Sequence, residues 1–239
     1  MQESYKDFSQ IYDLLMDVDY EKWTSFIMKK TAGKRKILEA ACGTGNITGL
    51  LAENNYKVTA FDLSEDMLMR AYEKLGRSSM VLFLKQNMAD FKIDDKFDAA
   101  ICCCDGVNYL TREEAAAFFE RVYHHLNQGA IFIFDISTKY KYEKIFCDTY
   151  VYDDGDIFYV WENDLSDDGR VSIEINFFIR DRDKYMRITE EQIQYVHETE
   201  EIMSLLKEAG FENIEIFDDY SEEGCRDNSL RAVFTAVKL

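Results

Sequence analysis

The chain has 239 residues, of which 47% are hydrophobic and 14% aromatic, so its composition supports a folded core and argues against a disordered chain. Its 46 acidic residues outnumber its 28 basic residues, which gives a formal net charge of −18. Binding to nucleic acid or to an anionic membrane surface is disfavoured, because both depend on clustered Lys and Arg.

The N-terminal sequence, the lack of a long apolar stretch and the cysteine pattern predict a cytoplasmic protein. The N-terminal sequence is acidic and lacks a basic segment followed by an apolar run, so it predicts no signal peptide. No stretch approaches the roughly 18 uninterrupted apolar residues of a membrane-spanning helix. The six cysteines form no C-x-x-C pair and no cluster with zinc-ligand spacing, so we predict no metal site. The consecutive residues Cys102 to Cys104 are typical of a buried strand.

The first half of the chain alternates short apolar runs with segments of helical periodicity. Ser64 is the predicted cap of one helix, and Thr111 with Glu114 predicts a capping box at the start of another. Buried strands that alternate with helices predict an α/β fold whose parallel sheet is covered by helices on both faces. The predicted strands are KRKILEAAC (34–42), YKVTAFDL (56–63), MVLFLKQN (80–87), KFDAAICCC (96–104) and AIFIFDIS (130–137).

The pattern changes between about residues 149 and 196, where apolar and polar residues alternate without a helical segment. Asp154-Gly155 and Asp168-Gly169 are typical hairpin turns, so we predict an antiparallel meander of about four strands. A helix that ends at Gly210 and two final strands follow. These changes predict three units, which are a lid and core of residues 1–145, an inserted β unit of residues 146–197, and a closing helix and hairpin of residues 198–239.

Two glycines and one aspartate predict a ligand site. Gly43 and Gly45 follow the first predicted strand and precede a helix. At the carboxyl end of a parallel strand, glycine lets a ligand approach the backbone closely. Asp62 ends the second predicted strand, where a carboxylate can accept hydrogen bonds from both hydroxyls of a ribose. The pattern therefore predicts a ligand that contains a nucleoside.

Two features argue against a nicotinamide dinucleotide as this ligand. The third glycine of G-x-G-x-x-G is absent, because Thr48 stands at its position. Glu39 lies in the strand before the loop, and its carboxylate is unfavourable beside a pyrophosphate. It suits a cationic amino group, either directly or through water. A ribose together with a positively charged amino-acid end describes S-adenosylmethionine.

Four segments in chain order resemble the motifs of class I S-adenosylmethionine-dependent methyltransferases, over about residues 35 to 137. The closing helix and strand pair also resembles the end of that family's fold. The resemblance implies a Rossmann-like, seven-stranded and mainly parallel sheet with an antiparallel last strand, and S-adenosylmethionine as the cofactor. The four segments are LEAACGTGN (38–46), VTAFDLSEDML (58–68), FLKQNMADF (83–91) and FDAAICCCDGVNYL (97–110).

The resemblance also implies roles for individual residues. Asp62 would bind the ribose, Met67 would pack on the adenine, and the backbone of Cys103 and Cys104 would contact the methionine group. The alternatives are that Met67 and Met88 only fill the core, that Asp62 only caps the following helix, and that Glu39 is only a structural acid. The implied cofactor-binding residues are Tyr12, Trp23, Glu39, Ala41, Cys42, Gly43, Thr44, Gly45, Asp62, Leu63, Met67, Asn87, Met88, Ala89, Asp90, Cys103 and Cys104.

The N-terminal segment DFSQIYDLLMDVDYEKW (7–23) resembles the lid of a subgroup of small-molecule methyltransferases, which includes glycine N-methyltransferase-like proteins. This resemblance implies that Tyr12 and Trp23 close over the cofactor and exclude water. The alternative is that both residues pack a helix onto the sheet. The inserted meander resembles the same subgroup, in which such insertions commonly roof the acceptor site.

Methyl transfer is an in-line displacement that depends on alignment and on exclusion of water. The sequence has no recognisable catalytic signature, but Asp105, Asn108 and Tyr109 follow the fourth strand and are the catalytic candidates. His197 is a further candidate for a base at the acceptor site. We predict an enzyme that methylates an unidentified small molecule. The alternative is a non-catalytic S-adenosylmethionine sensor or assembly partner on the same fold, which would bind the cofactor without turnover.

Overall fold

The computed structural model describes residues 12–15 and 18–239, so much of the predicted lid segment lies outside the described residues. The described chain alternates strands and helices in its first half. The strands are β1 (Lys36–Ala40), β2 (Lys57–Asp62), β3 (Val81–Lys85), β4 (Phe97–Cys102), β5 (Leu126–Ser137), β6 (Tyr150–Asp153), β7 (Ile157–Leu165), β8 (Arg170–Asp181), β9 (Lys184–Tyr195), β10 (Glu212–Asp218) and β11 (Arg231–Lys238). The helices are α1 (Tyr12–Leu15), α2 (Tyr20–Lys30), α3 (Asn46–Glu53), α4 (Glu65–Leu75), α5 (Arg112–His125), α6 (Lys139–Lys144) and α7 (Thr199–Glu208).

The larger sheet has seven strands in the order β10-β11-β5-β4-β1-β2-β3. Strands β1 to β5 pair in parallel, whereas β11 runs antiparallel to both β5 and β10. The predicted Rossmann-like fold is therefore confirmed. The winding reverses between β1 and β4, and ligands of open α/β sheets bind at the carboxyl ends of strands where this occurs.

Helices and aromatic side chains cover both faces of this sheet. On one face, the parallel rings of Phe134 and Phe234 lie 5.0 Å apart and join β5 to β11. On the other face, Trp23 of α2 stacks on Tyr220 at 4.5 Å. Each aromatic side chain buries a large apolar area, so these contacts hold the antiparallel end of the sheet to its parallel part.

The four-stranded sheet, in the order β6-β7-β8-β9, is the predicted meander. Two of its three hairpins turn at Gly155 and Gly169, which have φ angles of 90° and 81° that favour glycine. The alternate residues Val171, Ile173 and Phe177 of β8 are buried in one cluster with Met67, which follows β2. The small sheet therefore packs over the carboxyl edge of the large one. Among the described helices, none is long and apolar enough to cross a membrane.

Three elements differ from the sequence prediction. Strand β5 begins at Leu126 rather than Ala130, because Leu126 pairs with Phe97 directly after α5 ends. Strand β4 ends at Cys102, so Cys103 and Cys104 lie in the following loop rather than in the strand. Cys104 has a φ angle of 58°, which leaves the extended conformation. Helix α6 was not predicted, and it begins at a Thr138 cap.

The predicted capping box of α5 is present, since the Thr111 hydroxyl accepts from the Glu114 amide and the Glu114 carboxylate accepts from the Thr111 amide. We expect Thr111→Ala to lower the free energy of unfolding by about 1 kcal/mol, because it removes one of these bonds. Urea denaturation measures the change. Thr199→Ala is the control, since Thr199 is the first residue of α7 and its hydroxyl donates to the neighbouring Glu200 side chain rather than accepting from a helix amide. An equal loss in both variants would contradict the prediction.

Candidate functional site

A cavity of about 760 Å³ lies at the carboxyl ends of β1, β2 and β4, beneath the four-stranded sheet. This volume is in the range of small-molecule and cofactor sites. Many of the predicted site residues meet on its wall, although they come from five different segments of the chain. Those on the wall are Tyr12, Ala41, Gly43, Asp62, Leu63, Met67, Asn87, Met88, Cys103, Cys104 and Tyr109.

The two glycines of the loop after β1 have different roles. Gly43 has a φ angle of 53°, and a Cβ atom built on it would meet nothing within 4 Å, so the space above it is open to a ligand. Gly45 has a φ angle of 80°, and its Cβ atom would lie 3.1 Å from the Cβ of Ala71. Gly43 therefore faces the cavity, and Gly45 allows the loop to pack tightly on α4.

Asp62 is fixed at the end of β2 by backbone donors on both sides. One carboxylate oxygen accepts from the Gly43 amide at 2.8 Å, and the other accepts from the Ser64 amide at 2.8 Å. Each oxygen keeps a second lone pair for a ligand hydroxyl. Burial raises the pKa of Asp62, against the effect of these amides. The carboxylate therefore has fixed geometry and remaining capacity to accept hydrogen bonds.

The wall beside Asp62 is apolar with a polar edge. Leu63, Met67 and Met88 supply its apolar surface, and Gln86 and Asn87 supply amides. Gln86 was not singled out from the sequence, although it adjoins Asn87 in the third motif. Ala89 and Asp90 belong to the turn that Asn87 caps, since Ala89 donates to the Asn87 carboxamide oxygen and Asp90 to its carbonyl.

Glu39 lies behind the glycine loop rather than on the cavity wall. Its carboxylate accepts a hydrogen bond of 2.6 Å from the Thr48 hydroxyl of α3, and the residue is only 3% exposed. Burial raises the pKa of Glu39 to about 8. Cys42 and Thr44 are likewise buried within the loop. A direct contact between Glu39 and a ligand would require a shift of its side chain or an intervening water.

Asp13 fastens the N-terminal helix α1 to the glycine loop. It accepts hydrogen bonds from the Thr44 hydroxyl at 2.6 Å, from the Asn46 amide at 2.9 Å and from the Lys74 ammonium at 2.5 Å. This contact places Tyr12 on the cavity wall. A carboxylate here lies beside the N-terminus of α3, the position at which a dinucleotide fold binds pyrophosphate. No sequence motif indicated this role for Asp13.

Trp23, the second predicted lid residue, packs away from the cavity. Its ring stacks on Tyr220 and covers the guanidinium of Arg231, whose central carbon lies 4.7 Å from the ring centroid. Trp23 therefore has the contacts of a packing residue that fixes α2 to the sheet. This is the second of the two alternatives considered for Trp23, which were a lid over the cofactor and packing onto the sheet. Only Tyr12 of the predicted pair lines the cavity.

Asp105 and Asn108, two catalytic candidates, also point into the protein rather than the cavity. Asp105 pairs with Arg231 at 3.1 Å and accepts from the Gln194 amide at 3.1 Å. Burial acts to raise the pKa of Asp105, but the positive charges of Arg231 and Lys141 have the larger effect, so the pKa is lowered. Asn108 is fully buried and bonds to backbone atoms of β5 and β9. Both side chains therefore connect segments of the site.

Tyr109 lines the cavity, and its hydroxyl donates a hydrogen bond of 2.8 Å to the Gln192 side chain of β9. Because a hydroxyl has one proton, Tyr109 can only accept a hydrogen bond from a bound molecule. His197, the further candidate base, is buried at a 3.1 Å contact with the Leu110 carbonyl, and burial lowers its pKa. Tyr109 is thus the catalytic candidate that the structure brings to the cavity.

The outer part of the cavity lining is an acidic wall of exposed side chains. Glu162, Glu174 and Glu191 lie directly opposite one another on β7, β8 and β9, so their side chains share the exposed face of the sheet, opposite the buried face that carries Ile173 and Gln192. Of the described residues that line the cavity, Arg170 is the one with a positive charge. Glu114 and Asp164 add two more carboxylates to this wall.

The residues present fit S-adenosylmethionine and do not fit a pyrophosphate. Asp62 is available to ribose hydroxyls, and the Leu63–Met67–Met88 surface is available to a purine ring. The carboxylate of Asp62 on the wall favours a ligand with positive charge. Asp13 places a negative charge beside the helix terminus that a pyrophosphate would need, through bonds from the side chains of Thr44 and Asn46.

Comparisons with known proteins agree with this geometry. Residues 37–129 match the family model described as a methyltransferase domain. The putative methyltransferase YqeM of Bacillus subtilis (strain 168) is 36% identical, over 98% of this chain and 97% of that protein. The crystal structure of an S-adenosylmethionine-dependent methyltransferase from Clostridium acetobutylicum ATCC 824 is also 36% identical, with a TM-score of 0.89 over 98% of both chains.

A more distant relative is the glycine/sarcosine N-methyltransferase of Aphanothece halophytica, which is 26% identical over 87% of this chain and 78% of that protein. The similarity to YqeM and to the clostridial enzyme extends over nearly the whole chain, including the four-stranded sheet. These similarities and the cavity lead to one assignment. The chain belongs to the class I S-adenosylmethionine-dependent methyltransferases.

Proposed function

We propose that this methyltransferase acts on the nitrogen of a small, positively charged amine. The observation that carries the proposal is the acidic wall beside the cavity, in which Glu162, Glu174 and Glu191 form one exposed row. Like charges directly opposite on neighbouring strands repel one another. A cationic acceptor would relieve this repulsion, whereas an anionic acceptor would increase it. The named activity of the relative from Aphanothece, which methylates an amine, supports the same choice.

The cofactor would be held by residues on the other side of the cavity. We propose that Asp62 accepts the ribose hydroxyls, that Met67 and Leu63 contact the adenine, and that Asn87 lies at its polar edge. Tyr12 would cover this part of the site through the Asp13 contact. Bound S-adenosylmethionine supplies a methyl group that its sulfonium activates for displacement. The chain therefore has mainly to align the acceptor and keep water out.

The acceptor nitrogen needs a free lone pair, so an ammonium must first lose a proton. The carboxylates of the acidic wall attract the ammonium form to the site. Tyr109 can accept a hydrogen bond from the remaining N–H, because its own proton is directed to Gln192. That contact would orient the lone pair toward the transferred methyl group. Asp105 and Asn108 would act by fixing the loop that carries Tyr109.

The second candidate function is a sensor that binds the cofactor without turnover. It differs from the enzyme in one measurable property, the formation of S-adenosylhomocysteine. The large acidic space beyond the cofactor side favours an enzyme, because a sensor needs no acceptor site. We propose that the inserted sheet roofs this space. Residues 146–197 would then determine which acceptor the enzyme uses.

We expect Asp62→Asn to weaken the binding of S-adenosylhomocysteine at least tenfold, or about 1.4 kcal/mol, because an amide cannot accept two ribose hydroxyls and two backbone amides. Calorimetric titration measures the dissociation constant. Glu65→Gln is the matched control, since this acid is nearby and exposed. NADH is the ligand control. Unchanged affinity in Asp62→Asn, or tight binding of NADH by the wild type, would contradict the assigned role.

Glu39 makes stability depend on pH. Its pKa is about 8 in the folded protein and 4.5 in the reference state, so the folded state binds more protons between these values and is destabilised as pH rises. We expect the free energy of unfolding of Glu39→Gln, measured relative to that of the wild type, to increase as pH rises through this range. The increase should be at most about 1.4 kcal/mol per pH unit. Urea denaturation at several pH values measures this difference. If the stabilities of the two proteins changed in parallel with pH, Glu39 would be ionised over the whole range, and the prediction would be wrong.

The acceptor class is tested by turnover. We expect S-adenosylhomocysteine to form with amines such as glycine, sarcosine, glucosamine or a diamine, and not with their hydroxyl counterparts glycolate and glucose. Glu174→Gln should raise the KM of the active amine several-fold and leave S-adenosylhomocysteine affinity unchanged, because it removes one attractive charge. Glu53→Gln, in an exposed position at the end of α3, is the control. Faster turnover of the hydroxyl compounds would overturn the proposal, and no turnover at all would favour the sensor.

A further inference from the structure

A buried charge cluster lies behind the cavity and takes no part in the mechanism described above. Asp135 of β5 is completely buried and accepts four hydrogen bonds. Two come from side chains, the Tyr220 hydroxyl at 2.5 Å and the Arg231 guanidinium at 2.6 Å. The other two come from the backbone amides of Cys104 at 3.1 Å and Asp105 at 2.5 Å. A buried carboxylate with this many donors is a rigid element of the fold.

The two backbone donors have an unusual conformation. Cys104 and Asp105 have φ angles of 58° and 49°, a region that L-residues other than Asn and Asp rarely adopt. Successive amides in such conformations form a concave anion site. Here the anion is a side chain of the protein itself, so Asp135 stabilises a loop geometry that would otherwise cost free energy.

The direction of these amides determines the direction of two carbonyls. In a trans peptide the N–H of one residue points opposite to the C=O of the residue before it. Because the amides of Cys104 and Asp105 point at Asp135, the carbonyls of Cys103 and Cys104 point away from it. Cys103 and Cys104 both line the cavity, whereas Asp135 does not. Two carbonyl oxygens are thus directed to the cavity side of the loop.

We infer that Asp135 is a positioning residue for the cofactor, and that it directs the carbonyls of Cys103 and Cys104 at the ammonium of the methionine group. Arg231 stabilises this arrangement, because it forms ion pairs with both Asp135 and Asp105. Two buried carboxylates this close would otherwise repel each other and release the loop. The inference concerns the cofactor alone and does not depend on the acceptor proposed above.

The test compares two ligands that differ only at the amino-acid end. S-adenosylhomocysteine has the ammonium, whereas 5′-methylthioadenosine keeps the adenosine and the sulfur but lacks it. We expect Asp135→Asn to weaken the binding of S-adenosylhomocysteine at least tenfold and that of 5′-methylthioadenosine less than twofold. A general loss of structure would weaken both ligands equally and would overturn the inference, as would unchanged affinity for both.

Asp219→Asn is the matched control, because Asp219 lies 3.9 Å from the same guanidinium but makes no contact with the Cys104 amide. Its affinity for both ligands should equal that of the wild type. Where Asp135→Asn fails to fold, NMR of the wild-type protein gives the answer. The amide protons of Cys104 and Asp105 should lie far downfield and should shift further with S-adenosylhomocysteine only. Equal shifts with both ligands, or none, would refute the role of Asp135.

Discussion

The functional site depends on the reversal of winding between β1 and β4. The chain builds β1, β2 and β3 toward one edge of the sheet and then returns to place β4 and β5 on the other side of β1. The loops after β1 and β4 therefore diverge and leave a space between them. Every cofactor residue that we assign lies at this opening, and the four-stranded sheet closes it from above. Sheet topology thus creates the cavity, and side chains only determine what it binds.

Charge determines the ligand in two separate places. On the cofactor side, the Asp62 carboxylate favours a cationic ligand, and Asp13 places a negative charge beside the helix terminus at which a dinucleotide would place its phosphates. On the acceptor side, the exposed row of glutamates is the basis of the amine acceptor that we propose. The negative charge of the chain, which totals −18, can therefore influence ligand binding as well as solubility. We propose that the part of this charge beside the cavity attracts cationic acceptors and disfavours anionic ones.

Hydrogen bonds connect the inserted sheet to the loop after β4. Gln194 of β9 donates to Asp105 and accepts from Tyr142, while Gln192 accepts from Tyr109. These contacts place polar side chains on the inward face of an edge strand, where apolar residues would pack more simply. The loop that we assign to the methionine group is consequently held from both sides, by Asp135 below and by the glutamines above.

The sequence by itself determined the order of strands and helices, the capping box at Thr111 and the ligand loop at Gly43, because these depend on local periodicity and on residue types with special backbone preferences. It also located Asp62 at the end of β2. Contacts between distant segments were decided by the tertiary structure alone. Nothing local indicates that Asp13 reaches Thr44, that Trp23 covers Arg231, or that Asn108 points inward, since each depends on which surfaces the completed sheet brings together.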